Sequence, residues 1–133
     1  MPEASGGAGA DIADGFAVLR ETGRFAVALP VAETLLAGWL LGQAGISAPR
    51  GPMACGPSRW SDQLTLARNG TLTGRLRAVA FAGGAEHLAV LARRESGSHA
   101  VALVKASTAR IAKGAGMAGD ALNGVTFEGT TPV

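Results

Sequence analysis

Residues 64–81 read LTLARNGTLTGRLRAVAF, and their alternation decides the fold class. Leu64 and Leu66 sit between polar neighbours, the period of two that a half-buried strand requires. Asn69-Gly70 follows, and both residues tolerate positive φ, which marks a tight hairpin. Residues 72–81 then return as the partner strand. Further strands are expected at 88–93 and 99–105, joined by the ESGS turn at 95–98. Weaker strand patterns occupy 109–112 and 125–128. Residues 61–133 therefore read as an antiparallel β domain of hairpins, a sandwich or partial barrel.

Upstream the period changes. Residues 45–60 hold three prolines and three glycines, so 46–60 reads as a linker. Before it, residues 11–45 read as a helical segment of two helices. Ile12, Phe16 and Leu19 fall on one helical face, with Asp11 or Asp14 as the cap. Gly23 weakens the end of this helix, and Pro30 forces a break. A second helix follows over 31–44. Pro30 suits its first turn, Glu33 its positive dipole end and Gly45 its stop. Leu35, Leu36, Trp39, Leu40 and Leu41 surround it almost completely. A helix apolar on most sides needs cover on most sides, from the rest of the chain, a partner or a further domain. Residues 1–10 (MPEASGGAGA) read as a flexible tail. The fold class expected is α+β, with a short helical segment ahead of the β domain.

Composition narrows the function. The chain has 133 residues, 47% hydrophobic and 17% charged, with a mean hydropathy of +0.25. Intrinsic disorder is excluded, because it needs low hydrophobicity and high net charge. The net charge is +2, and its cations are scattered rather than striped. With two Trp, four Phe and no Tyr, stacking surface for bases is scarce, so nucleic-acid binding is not expected. The single Cys55 makes no internal disulfide, which fits a reducing compartment and a cytoplasmic setting. Only nine residues separate Glu33 from Gln43, too few for a membrane span of about twenty. The apolar run also begins too late for a signal peptide.

Residue chemistry by itself names no reaction. Gly114-Ala-Gly-Met-Ala-Gly119 matches G-x-G-x-x-G, but a dinucleotide fingerprint needs a following helix and an acidic residue about twenty positions on. Fourteen residues follow Gly119, interrupted by Gly124, so a loop is expected. Glu86 and His87 are adjacent in a strand and point to opposite faces. His99, the other histidine, and Cys55 have no ligand or base at useful spacing, and Arg93-Arg94 reads as a solvated strand end. Asn69-Gly-Thr71 fits a glycosylation pattern, which the hairpin explains better. No catalytic residue and no metal ligand is assigned, and the cofactor-binding residues stay open.

The order of segments carries more. Residues 18–37 (VLRETGRFAVALPVAETLLA) resemble the late N-terminal helices of acyl-CoA dehydrogenases. Divergent bacterial members carry a similar lGr-aaPvPlaEtlla run there. Residues 70–92 (GTLTGRLRAVAFAGGAEHLAVLA) look like the start of that family's middle β domain. There a G-L-x-G hairpin leads into a strand and then A-(D/E)-x-l-v-v-l-A. Residues 99–105, Ala118-Gly119 and 125–128 continue the pattern in order. The resemblance covers roughly residues 14–133.

That resemblance implies an FAD-dependent oxidoreductase acting on the α,β carbon–carbon bond of an acyl-CoA. It also marks departures. The family's catalytic glutamate belongs to a C-terminal helical domain with no counterpart here. Its T-E-P-x-x-G-S-D loop is replaced by residues 51–62 (GPMACGPSRWSD), and its W-(I/V)-(T/S) flavin contact falls on Ala78, Val79 and Ala80. The expectation is a fragment or partial subunit, inactive alone, that meets a protein partner or itself through Leu35, Trp39 and Leu40. The alternative is a non-catalytic interaction module of the same ancestry. A weaker third reading is a small lipid- or acyl-binding protein that uses the apolar helix as a cleft wall.

Overall fold

The computed structural model describes residues 7–133. Most of the tail read at 1–10 lies outside them, and residues 7–10 have no regular structure. Helix α1 spans Ile12–Arg24, helix α2 Val31–Gln43, and seven strands follow. They are β1 (Met53–Gly56), β2 (Leu64–Leu66), β3 (Leu72–Ala80), β4 (His87–Arg94), β5 (His99–Lys105), β6 (Arg110–Ala112) and β7 (Leu122–Thr130). The class is α+β, as the residue pattern requires, and the sheet is open.

Helix α1 starts on a reciprocal cap. Asp11 Oδ1 accepts from the Asp14 N–H at 3.0 Å, and Asp14 Oδ2 accepts from the Asp11 N–H at 3.1 Å. The cap fixes where the helix begins and not what it packs on: no residue of α1 is buried. Helix α2 differs. Thr34, Ala37, Gly38 and Leu41 share one stripe. Ala37 and Leu41 are fully buried against Met53, Ala89 and Leu103 of β1, β4 and β5. Thr34 Oγ1 also accepts from the Met53 N–H at 3.1 Å and donates to the Met53 carbonyl at 3.3 Å. The helix thereby satisfies both backbone groups of Met53 on the sheet edge. The sheet covers this stripe only. Leu35, Leu36 and Trp39 face outward, 45%, 52% and 54% exposed.

Strand β4 organises the sheet. It pairs antiparallel with β5 along residues 87–93. Its other edge takes two short parallel strands in succession: β1 opposite 87–90 and β2 opposite 93–94. Strand β2 turns into β3 through the expected hairpin, with Leu64 opposite Gly74 and Leu66 opposite Leu72. Strand β3 pairs with β7, and β7 with β6. The hairpin pairs are antiparallel, and β1 and β2 add two parallel pairings that make the sheet mixed. Strand β1 lies inside the Pro/Gly-rich stretch 46–60, where the sequence pattern shows no strand.

Inside the curl of the sheet, Leu64, Leu72, Leu76, Val90, Val125 and Phe127 form the larger core. Strand β4 shows why its residues are nearly all apolar. Leu88, Val90 and Ala92 face this core, and Ala89 faces α2. At the hairpin, Gly70 alone takes positive φ (+82°), and Asn69 does not. The Gly70 N–H donates to the Ala67 carbonyl at 2.9 Å, and Asn69 Oδ1 accepts from Thr71 N and Oγ1. Asn69 therefore shapes the turn by side-chain hydrogen bonding rather than by a left-handed backbone.

Candidate functional site

Strands β1 and β2 are two halves of one line along β4, and residues 57–63 leave the sheet between them. The loop opens with a cis Gly56–Pro57 bond. Trp60 at its tip is 95% exposed. Two residues later the chain buries a charge: the Asp62 side chain is 2% exposed. A carboxylate this deep needs partners for its lone pairs. Arg77 of β3 supplies them, its Nε donating to Asp62 Oδ1 at 2.7 Å and its backbone N–H donating to Oδ2. Arg77 Nη2 also pairs with Asp62 Oδ1 and donates to Ser61 Oγ at 2.9 Å.

Strand β3 is irregular at this point. Leu76 pairs with Val125 and Val79 with Asn123, so β3 carries one extra residue and bulges. Ala78 in the bulge has φ +55°, rare for a residue with a Cβ. Phe81, just past the strand, has φ +54°. Beside it, buried Asn123 of β7 accepts from the Gly83 N–H at 2.9 Å through Oδ1.

Burial by itself raises the Asp62 carboxyl. Hydrogen bonds from the Arg77 side chain and backbone, with the charges of Arg77 and Arg59, outweigh that and hold it below its ordinary value. A lowered folded value stabilises the protein above the unfolded value of about 3.9. That stability is lost as the pH falls through the folded value. Urea midpoints taken downward from about pH 6 should therefore drop below about pH 4 in the parent, and less steeply in Asp62→Asn. Parallel curves would remove Asp62 from the account of acid lability.

The other sequence candidates do not assemble a reactive centre. His87 lies between Met53 and Lys105, and its Nδ1 is buried without a hydrogen-bond partner. Glu86 packs its carboxylate against Gly51. His99 is exposed opposite Arg93. Cys55 is half-buried under α2, and burial, then the charge of Glu33, raise its thiol, which disfavours the thiolate. The 114–119 glycines form the β6–β7 hairpin, with Ala115 bridged to Ala121 and Gly116 N–H donating to Asp120 at 2.8 Å. A strand follows them, not a helix, so no phosphate-binding helix end exists there. Among the described residues, no three His, Cys, Asp or Glu side chains gather as metal ligands, and no helix is long and apolar enough to cross a membrane.

Two open apolar grooves flank the segment joining the helices. One, of about 460 Å³, is lined by Ala17, Val18, Phe25 and Val27 among others. The other, of about 400 Å³, is lined by Leu29, Val31, Leu35 and Pro52 among others. Leu40 is half-buried against the smaller core, so of the three residues named for partner contact only Leu35 and Trp39 stand exposed.

At positions 78–80, where the resemblance sets a flavin contact, the structure offers no polar side chain. Val79 is buried in the core, and Ala78 and Ala80 present methyl groups. Asp62 and Ser61 of the loop are engaged by Arg77. This set of side chains does not fit the hydrogen-bonding edge of a flavin ring.

No protein-family model matches the chain, and no curated protein matches it. Solved structures of acyl-CoA dehydrogenases do match it. A variant of the Tcur3481-Tcur3483 steroid ACAD covers 98% of this chain at TM-score 0.81 and 22% identity. The ChsE4-ChsE5 complex from Mycobacterium tuberculosis covers 97% at TM-score 0.74 and 23% identity. A Mycobacterium smegmatis protein assigned as an acyl-CoA dehydrogenase covers 100% at TM-score 0.73 and 16% identity. A glutaryl-CoA dehydrogenase in complex with FADH2 is also similar. At these identities the likeness is one of fold: the chain has the fold of part of an acyl-CoA dehydrogenase. It spans 42%, 40% and 44% of the first three proteins.

Proposed function

We propose that this chain serves as a partial subunit of an acyl-CoA dehydrogenase-type flavoprotein, providing a β platform and a helical wall to a larger assembly. The observation that carries this reading is the fold match over 98% of the chain at TM-score 0.81. A flavin supplies the hydride acceptor in such chemistry, and a carboxylate takes the α proton. Neither role falls to this chain. Positions 78–80 lack polar side chains, and Asp62, the one buried carboxylate among the described residues, is committed to Arg77. What the chain contributes is shape: the anchored 57–63 loop, the end of β3 and the apolar outer face of α2. Substrate is an acyl-CoA thioester bound by the assembly.

A second reading, a non-catalytic interaction module, is favoured by the bare face of Leu35, Leu36 and Trp39. One experiment separates the readings. The purified chain is incubated with FAD, desalted and scanned in the visible, alone and then with a candidate partner chain carrying a catalytic helical bundle. The subunit reading expects a colourless chain alone and a retained flavin spectrum with acyl-CoA oxidation in the complex. A folded complex that never retains flavin supports the interaction module. Flavin retained by the chain alone overturns the conclusion that its side chains do not fit the ring.

A further inference from the structure

We infer that Asp62 is a positioning residue: it welds the 57–63 loop to the β3 bulge, so that Trp60 and the strand end at 78–80 are presented as one rigid unit. The bulge creates the need. Where β3 carries its extra residue, the Arg77 N–H is turned toward the loop, and the Asp62 carboxylate accepts it. The second carboxylate oxygen takes the guanidinium, and the same guanidinium reaches Ser61. One arginine thus holds two consecutive loop residues by its side chain and one of them by its backbone. On the loop side, the Asp62 N–H donates to the Arg59 carbonyl at 3.0 Å, closing the turn that carries Trp60.

Stability alone does not explain this arrangement. The pair stabilises the fold above about pH 4, but burying the Asp62 carboxylate against a half-exposed Arg77 carries a desolvation cost that the pairing must first offset. Trp60 contributes nothing to the core at 95% exposure. What the pair does provide is fixed geometry, for the loop and for the left-handed Ala78 together. The link between this unit and acyl-CoA chemistry rests on the proposed function; the weld itself does not.

The test uses the Trp39→Phe background, in which Trp60 is the single tryptophan of the two. Asp62→Ala, which removes both acceptor oxygens, should lower the Trp60 fluorescence anisotropy. It should also raise amide exchange at 57–63 and 77–80 together, by about tenfold or more. Residues 88–92 and 100–104 should exchange as in the parent. A loop that loosens while 77–80 stays protected overturns the proposal, as does no change in either. Arg77→Lys covers the case in which Asp62→Ala does not fold. It keeps the backbone N–H bond and loses the guanidinium fork, so the anisotropy should fall while 77–80 stays protected. Unchanged anisotropy there overturns the weld. Failure of the assembled complex to oxidise acyl-CoA would count against the proposed function and leave the exchange pattern standing.

Discussion

Leu41→Ala should destabilise the protein by about 2–5 kcal/mol, the cost of truncating a fully buried leucine. Leu36→Gln, five residues earlier on the same helix, should cost about 1 kcal/mol or less. Both residues are apolar and both sit on α2, so the sequence gives no reason to separate them. The structure does. Leu41 is fully buried among Met53, Ala89 and Leu103, whereas Leu36 is 52% exposed. Against a typical total of about 5–15 kcal/mol, the first change removes a large share of the stability and the second very little. Urea unfolding followed by far-UV circular dichroism measures both. Equal costs would mean that α2 is not docked through the Leu41 stripe. The expected inequality also defines the outer face. If Leu36, Leu35 and Trp39 are dispensable for folding, their apolar character needs another cause, and contact with a partner chain is the one the proposed function supplies.

Legibility in the sequence followed the range of the interactions. The β2–β3 hairpin was readable because its signals are local: alternation in 64–66 and a turn glycine at position 70. Even so, Asn69 took a different role from the one expected. Helix α1 was readable from Asp11 and its apolar spacing, but that no residue of it is buried was not, since burial depends on what lies across from it. Strand β1 was hidden. Its four residues, Met-Ala-Cys-Gly, have no alternation and stand between Pro52 and Pro57. Their strand conformation comes from pairing with residues 87–90, thirty-four positions away, as Met53 opposite His87 shows. Asp62 was missed for the same reason. A Ser-Asp pair after a Pro/Gly run looks like ordinary loop, and its meaning appears only when Arg77 folds over it. Ala78 and Phe81 at positive φ carry no sequence signal, because alanine and phenylalanine do not ask for that conformation.

Gly74→Ala should cost about 2–6 kcal/mol, combining about 1–3 of backbone strain with about 1–3 of overpacking. Gly74 has φ +137°, a region that L side chains rarely adopt. It sits mid-strand, opposite Leu64 on one side and Phe127 on the other. An added Cβ would lie 2.7 Å from the Gln63 carbonyl and 2.9 Å from Leu64 Cδ2. A side-chain tip can move aside, but the Gln63 carbonyl is backbone, and it is the last residue of the 57–63 loop before β2. Relief of the clash therefore shifts the loop or breaks the β2 register. The comparison is Gly70→Ala at the hairpin tip. Gly70 also has positive φ (+82°), but nothing lies within 4 Å of its Cβ position. It should lose only about 1–2 kcal/mol, the left-handed cost alone. Denaturant midpoints give the two costs, and Trp60 emission in the Trp39→Phe background reports whether the loop has moved. A larger loss at Gly74 with altered Trp60 emission means that the loop is seated on the strand at this glycine. Equal losses with unchanged emission would mean that Gly74 meets only a conformational demand, and that Asp62 and Arg77 hold the loop without it.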